Sequence, residues 1–580
     1  MLKRYLPLLS WLPDYRRETF GHDLIAGLIV TVMVIPQSLA YALLAGLPAV
    51  MGLYASILPA IVYMVFGSSR TLAVGPVAII ALMTAAALAN VAPPGSPDYV
   101  QAALVLSLLS GLMLTAMGLL RLGFFANFLS HPVISGFLSA SGILIAASQA
   151  AHLLGVSASG FTLPDLLGSL FGDLASLNLP TLAIGLATLV FLVAVRRHGR
   201  GLLTRLGLPS KLADLLAKAG PVFAVVLTTW VTWRFALDEA GVAVVGAVPS
   251  GLPPLTLPGF DTDLWHRLLV PALLISVVGF VESVSMGQML AAKRRERISP
   301  DQELIGLGTS NLAAAFSGGM PVTGGLSRTV INFDAGARTP AAGLIAALGI
   351  ATITLFFTPL IHYLPIATLA ATITVSILTL VDVKAMRRTW RYSRSDFAGL
   401  LATLAVTLLE GVEAGIIAGV ALSVGLFLYR TSRPHSALVG RVPGTEHFRN
   451  VARHNVESHA RVALLRIDES LYFANARYLE DTLYSLVARR PELTDVVLIC
   501  SAVNLIDASA LESLEAINAR LKDSGVTLHL AEVKGPVMDR LKHSDLLDDL
   551  TGRVFLSTYG AWSELRPRHV ETRESIQPLD

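Results

Sequence analysis

The 580-residue chain has a single cysteine, Cys500, and only 15% charged residues. One thiol cannot close an internal disulfide, which excludes a disulfide scaffold. The shortage of charge, against about 25% in ordinary globular proteins, excludes most soluble classes and intrinsic disorder together. No Walker loop, nucleophile elbow or His/Cys cluster at metal-ligand spacing occurs, and the 13 histidines are scattered. Neither ATP-driven transport nor a familiar enzyme site is therefore expected, and no cofactor or metal. A net charge of +3 gives no reason to expect a nucleic-acid partner.

What is abundant is apolar: 53% of residues are hydrophobic and the mean hydropathy is +0.64. The distribution is uneven. Residues 1–435 carry 27 Lys+Arg and 20 Asp+Glu, whereas residues 436–580 carry 17 and 21 in a third of the length. The first part is predicted to be a membrane domain and residues 436–565 a soluble domain, followed by a disordered tail over 566–580. The first 23 residues include basic side chains but no apolar core ending at a small-residue cleavage site, and read as an uncleaved cytoplasmic lead-in.

Apolar stretches bounded by Gly, Pro or charge recur through the first part, on the scale set by a hydrocarbon core of about 30 Å. They fall at 24–45, 51–66, 72–90, 100–120, 131–152, 179–195, 220–236, 268–291, 302–316, 325–337, 341–358, 364–380, 396–409 and 412–429. With the N-terminus inside, one set of loops holds Arg70, Arg121, the run from Arg196 to Lys218, Lys293 to Arg297, Arg338, and Lys384 to Arg394. The opposite loops hold almost no Lys or Arg, Arg234 and Arg267 excepted, which predicts a cell-membrane protein with both termini cytoplasmic.

Fourteen segments divide into seven and seven, and an odd number places two halves in the membrane with opposite orientation, as in inverted-repeat transporters. Segments 1 and 8 each carry a polar residue followed by serine at mid-length, Gln37-Ser38 and Glu282-Ser283. Each half then reaches a Gly/Pro-interrupted segment, GSSRTLAVGPVAIIALM and SGGMPVTGGLSRTVINF. Interrupted segments in matching positions point to a transport site, because exposed helix N-termini aim N–H groups at an anion. Glycine and proline are also simply common in membrane helices.

Two ionisable groups fall well inside the spans, Glu282 and Arg328. Each charge costs about 2.5 to 3.5 kcal/mol at a helix centre, so both are expected to face a wet cavity or each other. Arg328 suits an oxyanion clamp and Glu282 a protonation switch; a Glu–Arg pair that only closes helix packing is the alternative. Glu410 and Glu413 read as a solvated turn, and His131-Pro132 as a capping feature.

These segments resemble the sulfate permease (SulP) family of anion transporters over nearly the whole chain. The resemblance is carried by DLIAGLIVTVMVIPQSLAYALLAGLPAVMGLYAS from Asp23, FGSSRTLAVGPVA from Phe66, GFVESVSMGQ from Gly279 and DQELIGLGTSNLAAAFSGGMPVTGGLSRTVINFDAGARTP from Asp301. Met51 departs from the tyrosine usual before Gly-Leu-Tyr. The resemblance implies a fourteen-helix, seven-plus-seven fold of the uracil-permease type. Its core (segments 1–4 and 8–11) would move against a gate (5–7 and 12–14) like an elevator, in a homodimer. It places the anion between half-helices 3 and 10, at Pro76, Val77, Ala78, Leu326, Ser327 and Arg328, with Gln37, Tyr41 and Glu282 completing the pocket. PQSLAY, Glu282 and Ser327-Arg328 together look most like the proton-coupled sulfate carriers. Anion exchange, sodium-coupled bicarbonate uptake, dicarboxylate transport and an anion channel remain alternatives on the same fold.

Beyond Arg433 the pattern becomes strand–helix alternation, with RVALLRI, TDVVLIC and VTLHLAEV as strands and ANARYLEDTLYSLVARR, DASALESLEAINARLKD and PVMDRLKHS as helices, predicting an α/β unit. IDESLYFANA and VNLIDASALESL resemble the STAS domain, which implies dimer contacts or a cytoplasmic protein partner. In that resemblance Asp507 and Ser509 fall in the loop that carries a phosphorylated serine in regulatory members. Their plain reading is a helix cap near Ala508, and Cys500 reads as a buried core thiol.

Overall fold

A computed structural model describes residues 5–124, 130–157 and 160–566. Most of the predicted 566–580 tail lies outside the described residues. The chain forms two compact units, Met1–Ser423 and Val424–Asp580.

All fourteen apolar segments contain helix. The first half comprises α1 (Arg17–Leu44), α2 (Ala49–Tyr54), α3 (Leu58–Phe66), α4 (Ala78–Ala89), α5 (Pro97–Leu119), α6 (His131–Leu154), α7 (Leu163–Gly172), α8 (Leu179–Ala194), α9 (Arg200–Arg205), α10 (Ser210–Lys218) and α11 (Gly220–Arg234). The second comprises α12 (Thr262–Lys293), α13 (Pro300–Phe316), α14 (Leu326–Asp334), α15 (Ala341–Phe356), α16 (Ile366–Ile377), α17 (Val383–Tyr392), α18 (Arg394–Glu410) and α19 (Val412–Ser432). Among the described residues, eight helical stretches are long and apolar enough to cross a membrane, three of them (Ala49–Phe66, Leu179–Arg205 and Ile366–Tyr392) running through two consecutive helices; α4 and α15 are shorter apolar helices.

Several boundaries differ from the sequence reading. Helix α1 starts at Arg17, inside the polar lead-in, because a helix continues beyond the apolar stretch wherever its next turn can be solvated. Segment 2 breaks into α2 and α3 where Pro59 enters the first turn of α3. Helices α7, α9, α10 and α17 occupy stretches read as loops, each too short for a spanning pattern and α9, α10 and α17 also too polar. The two interrupted segments end as 12-residue α4 and 9-residue α14. At 1.5 Å per residue these reach only about 18 and 14 Å, well short of a hydrocarbon core.

Small residues set the helix packing. Helix α13 lies against α5 and α3, α15 against α1, and α12 against α5. A Cβ on Gly111 of α5 would sit 2.7 Å from the backbone nitrogen of Leu312, so this crossing is closed to any larger residue. A second group joins α6, α8, α16 and α18. There a Cβ on Gly136 would lie 2.5 Å from the Leu400 carbonyl. Met51, at the departure from the family pattern, is buried in the core, where its side chain packs without a polar partner.

Two further carboxylates, not anticipated from sequence, are fully buried in the first unit, Asp23 and Glu303. Asp23 accepts from the backbone N–H groups of Arg338 (2.7 Å) and Thr339 (3.1 Å) and from the Thr339 hydroxyl (2.5 Å). Glu303 accepts from the Tyr63 hydroxyl (2.7 Å), the Ser68 hydroxyl (2.6 Å) and the Ser68 and Ser69 N–H groups (2.8 Å each). Each carboxylate thus satisfies backbone donors in a turn beside a short helix, Glu303 before α4 and Asp23 after α14.

The second unit begins within α19, earlier than the change of composition at residue 435 suggests. The last turn of α19 belongs with it, since Asn475 donates to the Thr431 carbonyl at 3.4 Å. Its sheet runs β4-β3-β5-β6-β7-β8, from β3 (Ser436–Arg441), β4 (Phe448–Asn450), β5 (Val462–Ile467), β6 (Asp495–Ile499), β7 (Thr527–Ala531) and β8 (Val554–Phe555). Strands β5 to β8 are parallel, and β3 joins β4 and β5 antiparallel. The parallel strands need crossovers, supplied by α20 (Ala476–Arg489), α21 (Ala508–Asp523) and α22 (Gly535–Leu541). Strands β3, β4 and β8 were not anticipated. Cys500 is buried after β6, and burial pushes its thiol up to about 12, the condition of an inert core thiol.

Asp507 caps α21, accepting from the Ala510 N–H at 2.8 Å, and its other oxygen accepts from the Phe473 N–H at 2.9 Å. One side chain therefore satisfies donors in two loops. Removing an N-cap costs about 1 kcal/mol. Asp507→Ala in the full-length protein is expected to speed hydrogen exchange across residues 508–523 about fivefold to tenfold. Ser509→Ala, at an exposed side chain, should leave that exchange unchanged.

Candidate functional site

The two short helices are brought together by the chain that leads into them. Strands β1 (Val74–Gly75) and β2 (Thr323–Gly324) pair antiparallel, Val74 opposite Gly324 and Gly75 opposite Thr323. Pro76 and Val77 then lead into α4, whose first residue is Ala78; Gly325 leads into α14, whose first turn is Leu326-Ser327-Arg328. The predicted residues of both broken segments therefore emerge from one crossing point.

Neither helix start has a side-chain cap. The helical ladders open with Ala81 donating to the Val77 carbonyl at 2.8 Å and Thr329 to that of Gly325 at 3.0 Å. The N–H groups ahead of Ala81 and Thr329 lie outside those ladders, and with the helix dipoles they form two places that favour negative charge.

Hydroxyls and amides fix the crossing. The Ser283 hydroxyl lies 2.8 Å from that of Thr323 and accepts from the Gly324 N–H at 2.9 Å, while Thr323 donates to the Gly279 carbonyl at 2.7 Å. Asn311 donates to the Val322 carbonyl and accepts from its N–H, both at 2.9 Å. Thr329 accepts from the Ala73 N–H at 3.1 Å, and Asn332 donates to the Thr71 carbonyl at 2.9 Å. Helix α1 uses its own serine in the same manner, Ser38 bonding Ser56 at 2.7 Å. In both Gln37-Ser38 and Glu282-Ser283 the serine is structural, and the preceding residue takes no part in these bonds.

Arg328 is buried, and its guanidinium donates to the Pro76 carbonyl, joining α14 to the approach of α4. Two glycines make room for it. A Cβ on Gly325 would stand 2.8 Å from the Arg328 Nε, and one on Gly75 would strike its Nη1. Gly75 also has φ +158°, at the edge of the glycine-favoured range. Tyr41, Glu282 and Arg328 lie within electrostatic range of one another. No ion pair joins Glu282 to Arg328, so the alternative of a closed Glu–Arg pair is not what the fold contains. The Glu282 Oε2 and the Gln37 Oε1 are both buried and lack a hydrogen-bond partner. Native proteins rarely leave such atoms unpaired. Both are acceptor oxygens, so what they call for is a donor, such as a proton on Glu282 or a water, and not an oxyanion itself. Gln37 and Ser327 line a cavity of about 500 Å³ that lies between α1 and α14 on one side and α8, α10 and α16 on the other. Asp507 and Ser509 belong to the second unit and take no part here.

Gly325→Ala is a direct probe of this geometry. The added methyl group would stand 2.8 Å from the Arg328 Nε, so the Arg328 side chain must shift, which disturbs its bond to Pro76. Anion uptake is expected to fall at least tenfold, the effect of losing about 1.4 kcal/mol, with surface expression retained. Normal uptake would show that the position of Arg328 over Gly325 is immaterial.

The model of the sulfate permease family matches residues 20–403, and that of the STAS domain residues 453–561. A chloroplastic sulfate transporter of Arabidopsis thaliana, "Sulfate transporter 4.1", is 34% identical over 555 residues, covering 93% of this chain and 79% of its own length. A "probable sulfate transporter" of Mycobacterium tuberculosis is 32% identical over 563 residues, covering 96% of this chain and 97% of its own. Among solved structures, SLC26A9 superposes with a TM-score of 0.88 at 23% identity, over 97% of this chain and 93% of that one. The transmembrane domain of the cyanobacterial bicarbonate transporter BicA gives 0.59 at 23% identity, over 71% of this chain and 99% of that one. At such identities these likenesses concern the fold: a helical membrane transporter followed by a STAS domain.

Proposed function

The chain belongs to the sulfate permease family, and from that premise we propose that it is a proton-coupled sulfate carrier working by alternating access. As a family member it is a multi-pass membrane transporter of inorganic anions and not an enzyme. The observation that supports the finer reading is the crossing of β1 and β2, from which two uncapped helix starts lead off, with Arg328 in the first turn of one and bonded to Pro76 ahead of the other.

In this reading a divalent oxyanion accepts from N–H groups at the starts of α4 and α14 and from Arg328, with Gln37, Tyr41 and Ser327 around it. Sulfate brings two negative charges next to the Glu282 carboxyl. A proton on Glu282 removes the repulsion between them, so anion and proton travel together. The fourteen segments cross the membrane as two inverted halves, with both termini cytoplasmic in a homodimer. The group around α1, α5, α12 and α13 is the moving core and the group around α6, α8, α16 and α18 the gate. The STAS domain provides dimer contacts or docks a cytoplasmic protein. Relatives named as sulfate transporters support the choice of substrate.

Counterflow in proteoliposomes with labelled sulfate, bicarbonate and fumarate, with and without pH and sodium gradients, tests the reading. Sulfate accumulation that follows the pH gradient and ignores sodium is the expected result. Sodium-driven bicarbonate uptake, obligatory exchange, fumarate accumulation or a large uncoupled current would each replace it.

A further inference from the structure

The cavity that reaches Gln37 and Ser327 has a second charged wall, opposite α1 and α14. Between α8 and α9 the helix widens into a π-helical stretch, Val195–Gly199, and Arg196, Arg197 and, one residue further on, Arg200 all line the cavity. Such widened turns are frequent at functional sites. Two of the three side chains are held in place. Arg196 Nη1 donates to the Val375 carbonyl at 2.9 Å, and Arg200 Nη2 donates to the Ser210 hydroxyl at 3.0 Å.

The fourth cation of the wall behaves differently. Lys218 Nζ lies 2.9 Å from Asp214 Oδ2 and 2.9 Å from Asp334 Oδ2, so its charge is already matched. Among the described residues, none of the three arginines is paired with a carboxylate. The hydroxyls of α16 and the turn after it offer no donors to the cavity, because Thr372, Ser376 and Thr379 each donate to a carbonyl of their own stretch, at 2.9, 2.9 and 2.7 Å. What this wall presents is unmatched guanidinium charge in a concave space, a combination that concentrates anions. The planar fork of arginine suits oxyanions in particular.

We propose that Arg196, Arg197 and Arg200 form a second, weaker oxyanion site, separate from Arg328, on the face that the distribution of Lys and Arg assigns to the cytoplasm. The proposal rests on the reading of this cavity as an anion path. The site holds the anion between the aqueous phase and the helix starts, and its guanidinium groups, being exposed, bind less tightly than buried Arg328.

Equilibrium binding of labelled sulfate to the full-length protein in neutral-lipid nanodiscs tests it. Two sulfates per chain are expected, the second about tenfold weaker and weakened further by added salt, as exposed charges are. Arg197→Gln/Arg200→Gln, which keeps the link from Arg196 to Val375, should remove only the weak site; Arg328→Ala should remove only the tight one. Retention of the tight site shows that the double variant is folded. A single site in the parent protein, unaffected by the double variant, overturns the proposal while leaving sulfate transport standing. No sulfate binding in the parent protein overturns both. The shared chemistry could also come from a lipid phosphate. Persistence of the weak site in nanodiscs containing anionic lipid supports a free anion, and its disappearance there at every sulfate concentration overturns the proposal in favour of a lipid headgroup.

Discussion

Replacing Arg328 by alanine is expected to abolish saturable sulfate binding at the helix starts and, with it, gradient-driven uptake. The reason is the number of roles that one side chain fills. It is a buried cation beside two glycines, it lies in the first turn of α14, and it donates to the Pro76 carbonyl just ahead of α4. A hydrogen bond to a charged group contributes about 1.5–3 kcal/mol, and two such bonds to an oxyanion correspond to a loss in affinity of about 10² to 10⁴. The two backbone helix starts alone cannot offset two negative charges, since each contributes only about half an elementary charge.

Arg328→Lys separates charge from geometry. Lysine keeps the cation but cannot both reach Pro76 and present a fork to the anion, so partial binding with a raised half-saturation is expected. The alanine variant also leaves the Pro76 carbonyl without its donor, and elution as a folded, monodisperse protein must accompany the binding assay. Binding at the parent affinity in a folded Arg328→Ala protein would remove this residue from the site.

The sequence revealed the parts of this arrangement that physics makes local. A chain in lipid must satisfy its backbone within each segment, so all fourteen apolar stretches contain helix and only their ends shift. The Gly/Pro interruptions were visible for the same reason, because they are where that rule is relaxed around a cavity. What stayed hidden depends on distant partners. The pairing of Val74 with Gly324 cannot be read from either strand, each of which has two residues. Asp23 and Glu303 stand near the starts of long helices, where an acidic residue ordinarily reads as a favourable first-turn charge. Only the fold shows them fully buried against turns far away in sequence. The two polar-serine pairs were legible as a matched feature, but the division of labour inside each was not. Ser38 and Ser283 close hydrogen bonds to Ser56 and Thr323, while Gln37 and Glu282 keep a buried atom unpaired. The boundary at Ser423 was missed because composition changes only after the helix has ended, whereas packing changes inside it.

Glu282→Gln is expected to uncouple transport from the pH gradient while preserving anion exchange. Glutamine keeps the size and the amide can occupy the same space, so the helix packing set by Ser283, Gly279 and Thr323 is undisturbed. What it removes is the alternation between a charged and an uncharged state. With a permanently neutral side chain beside the site, a divalent anion meets no repulsion at any pH, so it can bind and cross without a proton. Sulfate counterflow should then continue at a rate within about threefold of the parent, while concentrative uptake driven by an inward proton gradient falls to the level of the ungraded control. Glu282→Asp offers the complementary case, because it can still carry the proton but withdraws it from the anion by one methylene; coupling should persist with a changed half-saturation. The sign of the pH response also follows. Raising the pH on the uptake side of the parent protein lowers the fraction carrying the proton and so reduces sulfate entry, whereas the glutamine variant should be flat over the same range. Full gradient-driven accumulation by Glu282→Gln would place the coupling proton elsewhere.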